Sequence, residues 1–437
     1  TPTNALKWTF SAWVKNSQVG TGTFLLDFNT DTNNRSQIGF ESDGKLTVYE
    51  KVSGSTSQLF QTNALYRDLS GWYNFVISCD RTLGTAADRT KIYVNGVRET
   101  SFSASNNPAQ NTNGIINTAV NTLIGKYSQS GVYFNGLLSH VHFVDGTAYP
   151  ASTFGSTDSV TGQWKINPSP SITMGNNGFT ILKDGNTITD QSTNSNDFSL
   201  GGGTLTETED CPDNVFSTWN PLNGLFSASI QSNGVQNGNT YVASTASNED
   251  RSFGSTLAFT GTGKYYMEFK VGNLGGGVSV GIGEVDAMQV LLNQTRSKFC
   301  NNAKGYAYLN SGSKEVGGSG ASYGNSFTSL DYIGLAYNNG ALWFSKNGTW
   351  QNSATISEIN AGTTTNAAFT GIDTTKQYFI MFNGFNDAMI EMNAGNGYFR
   401  TTVVGSPNNP TSGDTSAKFK YTVPNDYQPV STKGLNA

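Results

Sequence analysis

The sequence predicts an all-β protein that consists of two antiparallel β-sandwiches. The first observation is the composition: of 437 residues, 12% are aromatic, only 13% are charged and 50 are glycine. Aromatic residues favour strands and glycine favours turns, so this mixture is typical of sheets joined by long loops. The second observation is a succession of short alternating segments in two runs of different pattern, with no competing helical period. A chain of this length is sufficient for two or three domains.

The first run of strands extends over residues 8–145. Hairpin turns are indicated at Asp43-Gly44 and Asn95-Gly96, because both positions of such turns favour residues that adopt positive φ. Strands at this spacing, without intervening helices, indicate a sandwich and not βαβ units. The predicted strands cover residues 8–14, 23–28, 37–40, 45–49, 72–78, 91–94, 97–99, 122–125 and 137–145.

Residues 1–150 resemble a laminin G-like domain of the concanavalin A-like lectin fold. The resemblance implies a jelly-roll sandwich. Such domains have a further strand before the first one found here, and we expect that strand to lie in an upstream piece of the chain. The motifs that carry the resemblance are residues 8–14, Gly71-Trp72-Tyr73 with Asp80, Ile92-Tyr93-Val94-Asn95-Gly96 and residues 136–145.

A segment rich in Ser, Thr, Asn, Asp and Gly, residues 151–215, connects the two runs of strands. Because it also carries large apolar side chains, we expect a structured bridge that packs on the neighbouring sandwiches, not a free linker. These apolar residues are Phe154, Trp164, Ile166, Phe179, Ile181, Leu182 and Phe198.

The second run of strands lies within residues 216–437 and resembles a SPRY domain. Its motifs follow the order of the core strands in that family, and residues 419–424 are similar to the closing segment that often follows it. The resemblance implies a second sandwich. The motifs are Gly263-Lys264-Tyr265-Tyr266-Met267-Glu268-Phe269, Val280-Gly281-Ile282-Gly283, Tyr332-Ile333-Gly334-Leu335-Ala336 and Leu342-Trp343-Phe344-Ser345-Lys346-Asn347-Gly348.

The pairing of these two domains, joined by a bridge that ends in residues 213–222, resembles structural proteins of bacteriophages and large aquatic viruses, often labelled tail fibres. This resemblance covers essentially the whole chain. It implies a location on the virion, after assembly in the host cytoplasm, and other virion subunits as partners. It also implies a host-surface glycan or protein as ligand and a homo-oligomer, which by analogy is a trimer.

Charge and cysteine content exclude several other classes. The net charge is −5 and there is no Lys/Arg cluster, so neither a nucleic acid nor an anionic membrane is expected as a partner. No apolar run reaches transmembrane length, so membrane insertion is not expected. The three cysteines are far apart and odd in number, which disfavours a disulfide framework.

We predict that the chain is not an enzyme. Glycanases of the concanavalin A-like fold carry paired acids on one strand, which act as nucleophile and acid/base. The nearest arrangement here is Glu284 and Asp286, which lacks the further Glu of the pattern and lies in the SPRY-like half. No phosphate loop or zinc spacing is present.

Metal and cofactor sites are not expected, although calcium stays open. His140 and His142 lie two residues apart on a predicted strand, and we expect an outward-facing polar pair because no third ligand lies nearby in sequence. Asp27 and Asp31 belong to an alternating Asp/Asn series that superficially resembles a calcium loop, but Thr32 and Ile38 stand where an EF-hand requires Gly and Glu. These two carboxylates are calcium candidates of the laminin G-like domain.

Three aromatic residues are candidates for ligand binding. Alternation places Leu342 and Phe344 on one strand face and Trp343 on the other, so Trp343 faces outward if the first pair is in the core. An exposed aromatic ring can stack on a sugar or anchor a protein partner, whereas the bridge or another subunit could instead cover it. Tyr323, in the glycine-rich stretch 317–324, and Tyr93, on a strand of the first domain, are similar candidates.

These observations favour a non-catalytic adhesion function. We expect a virion fibre, spike or decoration protein that binds a host-surface glycan or protein. A purely structural role in virion assembly is the first alternative. A polysaccharide depolymerase that uses Glu284 or Asp286 is the second.

Overall fold

The computed structural model describes the chain except for residues 19, 184, 186, 222–234, 245–249 and 288–297. It divides into two compact units, Thr1–Thr204 and Leu205–Ala437. The predicted all-β class is confirmed, because antiparallel strands form the body of both units. No helix in the described part of the chain is long and apolar enough to cross a membrane.

The first unit is a sandwich of two six-stranded sheets. The order is β14-β11-β1-β6-β7-β8 in one, here called covered sheet 1, and β10-β2-β3-β4-β5-β9 in the other, front sheet 1. The strands are β1 (Lys7–Asn16), β2 (Thr23–Asp31), β3 (Asn34–Phe40), β4 (Lys45–Val52), β5 (Ser55–Leu65), β6 (Tyr73–Asp80), β7 (Thr90–Val94), β8 (Val97–Glu99), β9 (Phe102–Asn106), β10 (Asn121–Ile124), β11 (Gly136–Asp145), β12 (Gly155–Thr157), β13 (Trp164–Ile166) and β14 (Phe179–Ile181).

The second unit pairs a seven-stranded sheet with a six-stranded one. Covered sheet 2 has the order β15-β16-β27-β18-β23-β24-β25, and front sheet 2 has the order β17-β26-β19-β20-β21-β22. The elements are β15 (Val235–Gln236), β16 (Tyr241–Ala243), β17 (Asp250–Thr260), β18 (Lys264–Asn273), β19 (Gly277–Gly283), β20 (Gly305–Leu309), β21 (Ser313–Val316), β22 (Ser319–Ser322), β23 (Tyr332–Asn338), β24 (Ala341–Lys346), β25 (Thr349–Trp350), α1 (Ile356–Ala361), β26 (Gln377–Phe385), β27 (Met389–Asn393), β28 (Tyr398–Phe399) and β29 (Thr402–Val403).

Most of the segment predicted as a bridge belongs to the first unit. β14 pairs with β11, with Ile181 opposite Val141 and Phe179 opposite Phe143, and thereby extends covered sheet 1. β12 and β13 form a separate hairpin. The apolar residues that distinguish this segment from a free linker are thus used inside a folded unit.

Covered sheet 1 is buried on both faces. One face packs against front sheet 1 in a core that includes Phe10 and Phe143. The opposite face carries Val76, which forms a second cluster with Ala151 and Phe154, and Trp164 packs against that cluster. The Trp164 indole N–H also donates to Asn74 Oδ1 of β6 at 3.1 Å. A third layer, supplied by residues that follow β11, therefore excludes solvent from this sheet.

Covered sheet 2 has a third layer as well. Its inner face contributes residues such as Met267 and Leu335 to the main core of the unit. Its outer face carries Tyr266, which packs edge-on against Phe419 with ring centroids 4.9 Å apart. Tyr427, close to the end of the chain, lies in the same cluster and donates its hydroxyl to the carbonyl of Ile359 in α1 at 3.0 Å.

A buried carboxylate attaches this layer to the sheet. Glu268 on β18 accepts the backbone N–H groups of Lys420 and Tyr421, both at 2.8 Å, and the hydroxyl of Tyr266 at 3.0 Å. Burial raises its pKa to about 7, although these hydrogen bonds act in the opposite direction.

The first unit contains a buried ion pair between Glu50 on β4 and Arg81. Both side chains are almost fully buried. Glu50 Oε1 also accepts the backbone N–H groups of Ile115 and Ile116, at 2.8 and 3.1 Å. The carboxylate thereby connects front sheet 1 to a loop that precedes β10. A buried charge needs this number of partners, because burial of an unpaired ion costs several kcal/mol.

Gly114 is expected to be essential for this ion pair. A Cβ atom at position 114 would overlap Glu50 Oε1 and Arg81 Nη2. Gly114→Ala should therefore lower the free energy of unfolding of the first unit by about 3 kcal/mol, measured by urea denaturation. Gly84→Ala is the matched control, because its Cβ would meet no atom within 4 Å, and it should cost less than about 0.5 kcal/mol. Equal effects of the two variants would contradict the prediction.

Glu268 is expected to make the second unit less stable as the pH rises. Its pKa is raised from 4.5 to about 7 by folding, so the folded state binds more protons between these values. The stabilisation is complete below pH 4.5 and is lost as the pH rises through about 7. It amounts to about 3 kcal/mol, at about 1.4 kcal/mol per pKa unit.

Hydrogen exchange of the β18 amides, corrected for the intrinsic effect of pH, measures this dependence. In Glu268→Gln the fall in stability across this pH range should disappear. The same slope in the variant and the parent chain would show that another group is responsible.

Candidate functional site

Two of the three aromatic candidates are buried in the second unit. Trp343 is fully buried, and the third layer that contains Phe419 and Tyr427 covers it. The alternation on β24 is as predicted, with Leu342 and Phe344 in the main core. The prediction that Trp343 faces solvent is nevertheless wrong, because residues far apart in sequence pack over that face.

Tyr323 belongs to the main core and does not lie on a binding loop surface. Its ring packs edge-on against Tyr308, with centroids 5.6 Å apart, and its hydroxyl accepts the Phe344 N–H at 3.2 Å. Only 7% of the residue is exposed. Tyr93 is half-buried and packs against the cluster formed by Val76 and Phe154 on the outer face of covered sheet 1.

The two histidines do not form an outward-facing pair. The pairing of β1 with β11 changes register between Ser11 and Trp13, and His140 adopts a φ of +49° at this bulge. His142 is 3% exposed, packs on Phe154 and shares a 2.8 Å hydrogen bond with Thr180 Oγ1. Burial lowers its pKa to about 3, so its imidazole is neutral. The prediction of a solvent-facing polar pair is therefore wrong for His142.

The calcium candidates do not fit a common metal site. Asp31 Oδ1 accepts the backbone N–H groups of Asn33 and Asn34, at 2.7 and 2.9 Å, and so closes its own turn. Asp27 is fully buried, and its Oδ2 accepts the Ser128 N–H at 2.8 Å. In the described ranges, no three His, Cys, Asp or Glu side chains converge as metal ligands would.

The acids considered for a depolymerase share one cation. Lys304 Nζ forms an ion pair with Asp286 and lies 3.6 Å from Glu284 Oε2. The ion pair lowers the pKa of Asp286 and raises that of Lys304. A glycosidase acid is a protonated carboxyl group, whereas the lowered pKa favours the ionised form of Asp286.

A surface cluster of aromatic rings and one guanidinium group lies on front sheet 1. We call Phe24, Arg35, Tyr49 and Tyr127 the aromatic–arginine patch; all four are partly exposed. Ile38 on β3 and Val48 on β4 point into the core, so the alternating positions Arg35 and Tyr49 lie on the outer face. Within the part of the chain that the structure describes, no apolar cluster like the one on covered sheet 1 packs over this position.

The patch is held together by ring stacking and cation–π contacts. Phe24 and Tyr127 stack with centroids 4.6 Å apart and an interplanar angle of 25°. The guanidinium carbon of Arg35 lies 5.9 Å from the ring centre of Tyr49 and 5.8 Å from that of Tyr127. Arg35 therefore bridges two tyrosines at a distance where cation–π attraction is significant.

A buried carboxylate lies beside this patch. Burial raises the pKa of Asp27, while the charge of Arg35 acts to lower it. The patch thus combines flat apolar faces, phenol hydroxyls and a cation. This combination suits a ligand with C–H faces and hydroxyl groups.

Sequence reasoning missed the patch for an identifiable reason. Phe24, Arg35 and Tyr49 lie on three successive strands, and their proximity depends on the register of β2, β3 and β4. The hairpin signal at Asp43-Gly44 is a usable clue, since a short turn sets the register of β3 and β4. No local signal places Tyr127, which follows β10, against Phe24.

Residues 1–152 match the laminin G family model described as the concanavalin A-like lectin/glucanases superfamily. The match supports the predicted lectin-like fold of the first unit. No curated protein shows significant sequence similarity to the chain.

Two solved structures show local similarity. The SPRY domain of human HERC1 is 14% identical, with a TM-score of 0.28; the match covers 40% of this chain and 96% of that one. The heptameric SAP-like pentraxin from Limulus polyphemus is 19% identical, with a TM-score of 0.27, and the match covers 41% of this chain and 84% of that one. At these TM-scores neither similarity carries an inference about ligands. The family match is confined to residues 1–152.

Proposed function

We propose that the chain is a non-catalytic adhesion protein whose aromatic–arginine patch binds a surface glycan. The observation that carries this proposal is the bridging of Tyr49 and Tyr127 by Arg35, on the front sheet of the lectin-like unit. The rings offer faces for the C–H surface of a sugar, and the guanidinium group offers donors for its hydroxyl groups.

The patch is suited to binding because its side chains are held before a ligand arrives. Phe24, Arg35 and Tyr49 project from hydrogen-bonded strands, and Tyr127 is fixed by stacking on Phe24. Little side-chain entropy is then lost on association, which favours affinity. Burial raises the pKa of the Tyr127 phenol, so its hydroxyl stays protonated and available as a donor at neutral pH.

The proposal places this adhesion protein on a virion, as a fibre, spike or decoration protein. The support is the resemblance of the whole chain, a laminin G-like domain followed by a SPRY-like domain, to phage and aquatic-virus structural proteins. Other virion subunits, a host-surface glycan or protein and a homo-oligomer, with a trimer as the expected form, belong to the same proposal. An additional argument for a non-catalytic role is the pairing of Glu284 and Asp286 with one cation, Lys304.

Substitutions in the patch should abolish or weaken glycan binding without affecting the fold. Arg35→Ala removes the cation and Tyr49→Ala removes one aromatic face. Each is expected to weaken binding to the glycans recognised on an array by about tenfold, which corresponds to a loss of about 1.4 kcal/mol in binding free energy. Surface plasmon resonance with the strongest array ligand measures the loss.

A matched control is available in the second unit. The guanidinium carbon of Arg400 lies 4.4 Å from the ring centre of Tyr241, so Arg400→Ala removes a similar cation–π pair outside the patch. It should leave the affinity unchanged. If the parent chain binds neither the array nor host cells, and instead occurs enclosed in a particle lattice, the adhesion proposal fails and a purely structural assembly role replaces it.

A further inference from the structure

A polar cleft on the outer face of front sheet 2 is not used by the function proposed above. Its volume is about 250 Å³. At about 30 Å³ per water molecule, it holds about eight waters, which is the space of one small polar ligand and not of an extended chain. It lies over the adjacent strands β17, β26, β19 and β20, of which β17 is an edge strand of the sheet.

The register of these strands brings polar side chains into one row across the floor of the cleft. Ser279 on β19 lies opposite Asn383 on β26 and opposite Leu309 on β20. Its neighbours Val278 and Val280 point into the core, so Ser279 projects to the outer face. Asn383 in turn lies opposite Ser252 on β17.

The amide of Asn383 is fixed in orientation by its neighbours. Its Oδ1 accepts the Ser252 hydroxyl at 2.9 Å, and its Nδ2 donates to Asp250 Oδ1 at 2.8 Å. On the opposite side, Asn310 Oδ1 accepts the Val278 N–H at 3.1 Å. The amide groups and the carboxylate that line the cleft are therefore positioned before any ligand binds.

Ser279 differs from these groups because its hydroxyl has no hydrogen-bond partner among the described residues. The residue is 2% exposed, and its Oγ is buried without a hydrogen bond in the structure. A buried unsatisfied hydroxyl costs about 1–3 kcal/mol. It lines the cleft, so a ligand in the cleft could supply the missing hydrogen bond.

The lining selects for a neutral, hydroxylated ligand. The lining contains one carboxylate, Asp250, and one ammonium group, Lys298, so it carries no net positive charge that would favour an anion. Lys298 Nζ also lies 3.8 Å from Glu315 Oε2. Hydroxyl and amide groups both donate and accept, as sugar hydroxyls do. Leu309 and Phe385 supply apolar surface for the C–H face of a ring.

We propose that this cleft is a second saccharide site, independent of the aromatic–arginine patch, which holds a single neutral pyranose residue. Ser279 Oγ and the Asn383 amide contact the sugar hydroxyls, and Phe385 contacts its C–H face. The site would bind one sugar residue, whereas the open patch of the first unit can contact a longer glycan.

Saturation-transfer NMR on the full chain tests this proposal. The probes are the methyl β-glycosides of glucose, galactose and N-acetylglucosamine. The chain carries Tyr49→Ala, which weakens binding in the first unit, and the part of the signal that depends on Ser279 distinguishes the cleft from the patch. At least one glycoside should show transfer. Ser279→Leu, which fills the cleft, should reduce binding at least tenfold.

Ser279→Ala tests the same site without a larger side chain, so the test remains informative if Ser279→Leu misfolds. It removes a hydroxyl that has no protein partner, so it should leave thermal stability unchanged or raise it while weakening binding about threefold. Ser345→Ala is the matched control: Ser345 is also fully buried with an unpartnered Oγ, but it lies on covered sheet 2, and binding should be unchanged.

Three results would overturn the proposal. The first is no transfer to any of the three glycosides. The second is transfer that persists unchanged in both Ser279→Leu and Ser279→Ala. The third is displacement of the glycoside by inorganic phosphate at equal concentration, which would indicate an anion site around Lys298.

Discussion

The burial of one sheet on both faces, in each unit, determines where this protein can contact a ligand. Phe154 and Trp164 cover the sheet of the first unit, and Phe419 and Tyr427 belong to the layer over that of the second. Full burial of one large apolar side chain contributes about 1.5–3 kcal/mol, so these layers are a substantial part of the stability. Both proposed sites lie on the front sheets, although Phe299 and Cys300 cover part of front sheet 2 by packing on Ala307 and Met381.

Polar groups position these layers and loops. Hydrophobic contact is non-directional, whereas the Glu268 carboxylate fixes Lys420 and Tyr421 through two backbone hydrogen bonds. In the first unit, Glu50 has a similar role and is neutralised by Arg81. The cost of burying a carboxylate is avoided by different means in the two units. Arg81 neutralises Glu50, whereas Glu268, with its pKa raised to about 7, loses its charge by binding a proton.

The two proposed sites differ in a way that follows from their sheets. Front sheet 1 carries the large side chains Arg35 and Tyr49, which project from the surface and can contact an extended ligand. Front sheet 2 carries the small residues Gly277 and Ser279 at its site, and these leave space for a cleft. In both places the strands hold the binding groups in advance, which lowers the entropic cost of association.

The sequence by itself determined the all-β class, many of the strand positions and the alternation on β24, because turn signals and a two-residue period are local properties of the chain. The strands β5, β9 and β17 were not predicted. It indicated the lectin-like first unit through motifs on several strands. Only the tertiary structure decided which strand faces are exposed. Trp343 is buried because Phe419 belongs to the layer that packs over it, and His142 is buried because Phe154 packs on it. The residues of the aromatic–arginine patch meet only through strand register and ring stacking. Contacts between segments that are remote in sequence leave no local pattern, and for this reason the binding face could not be read from the residues alone.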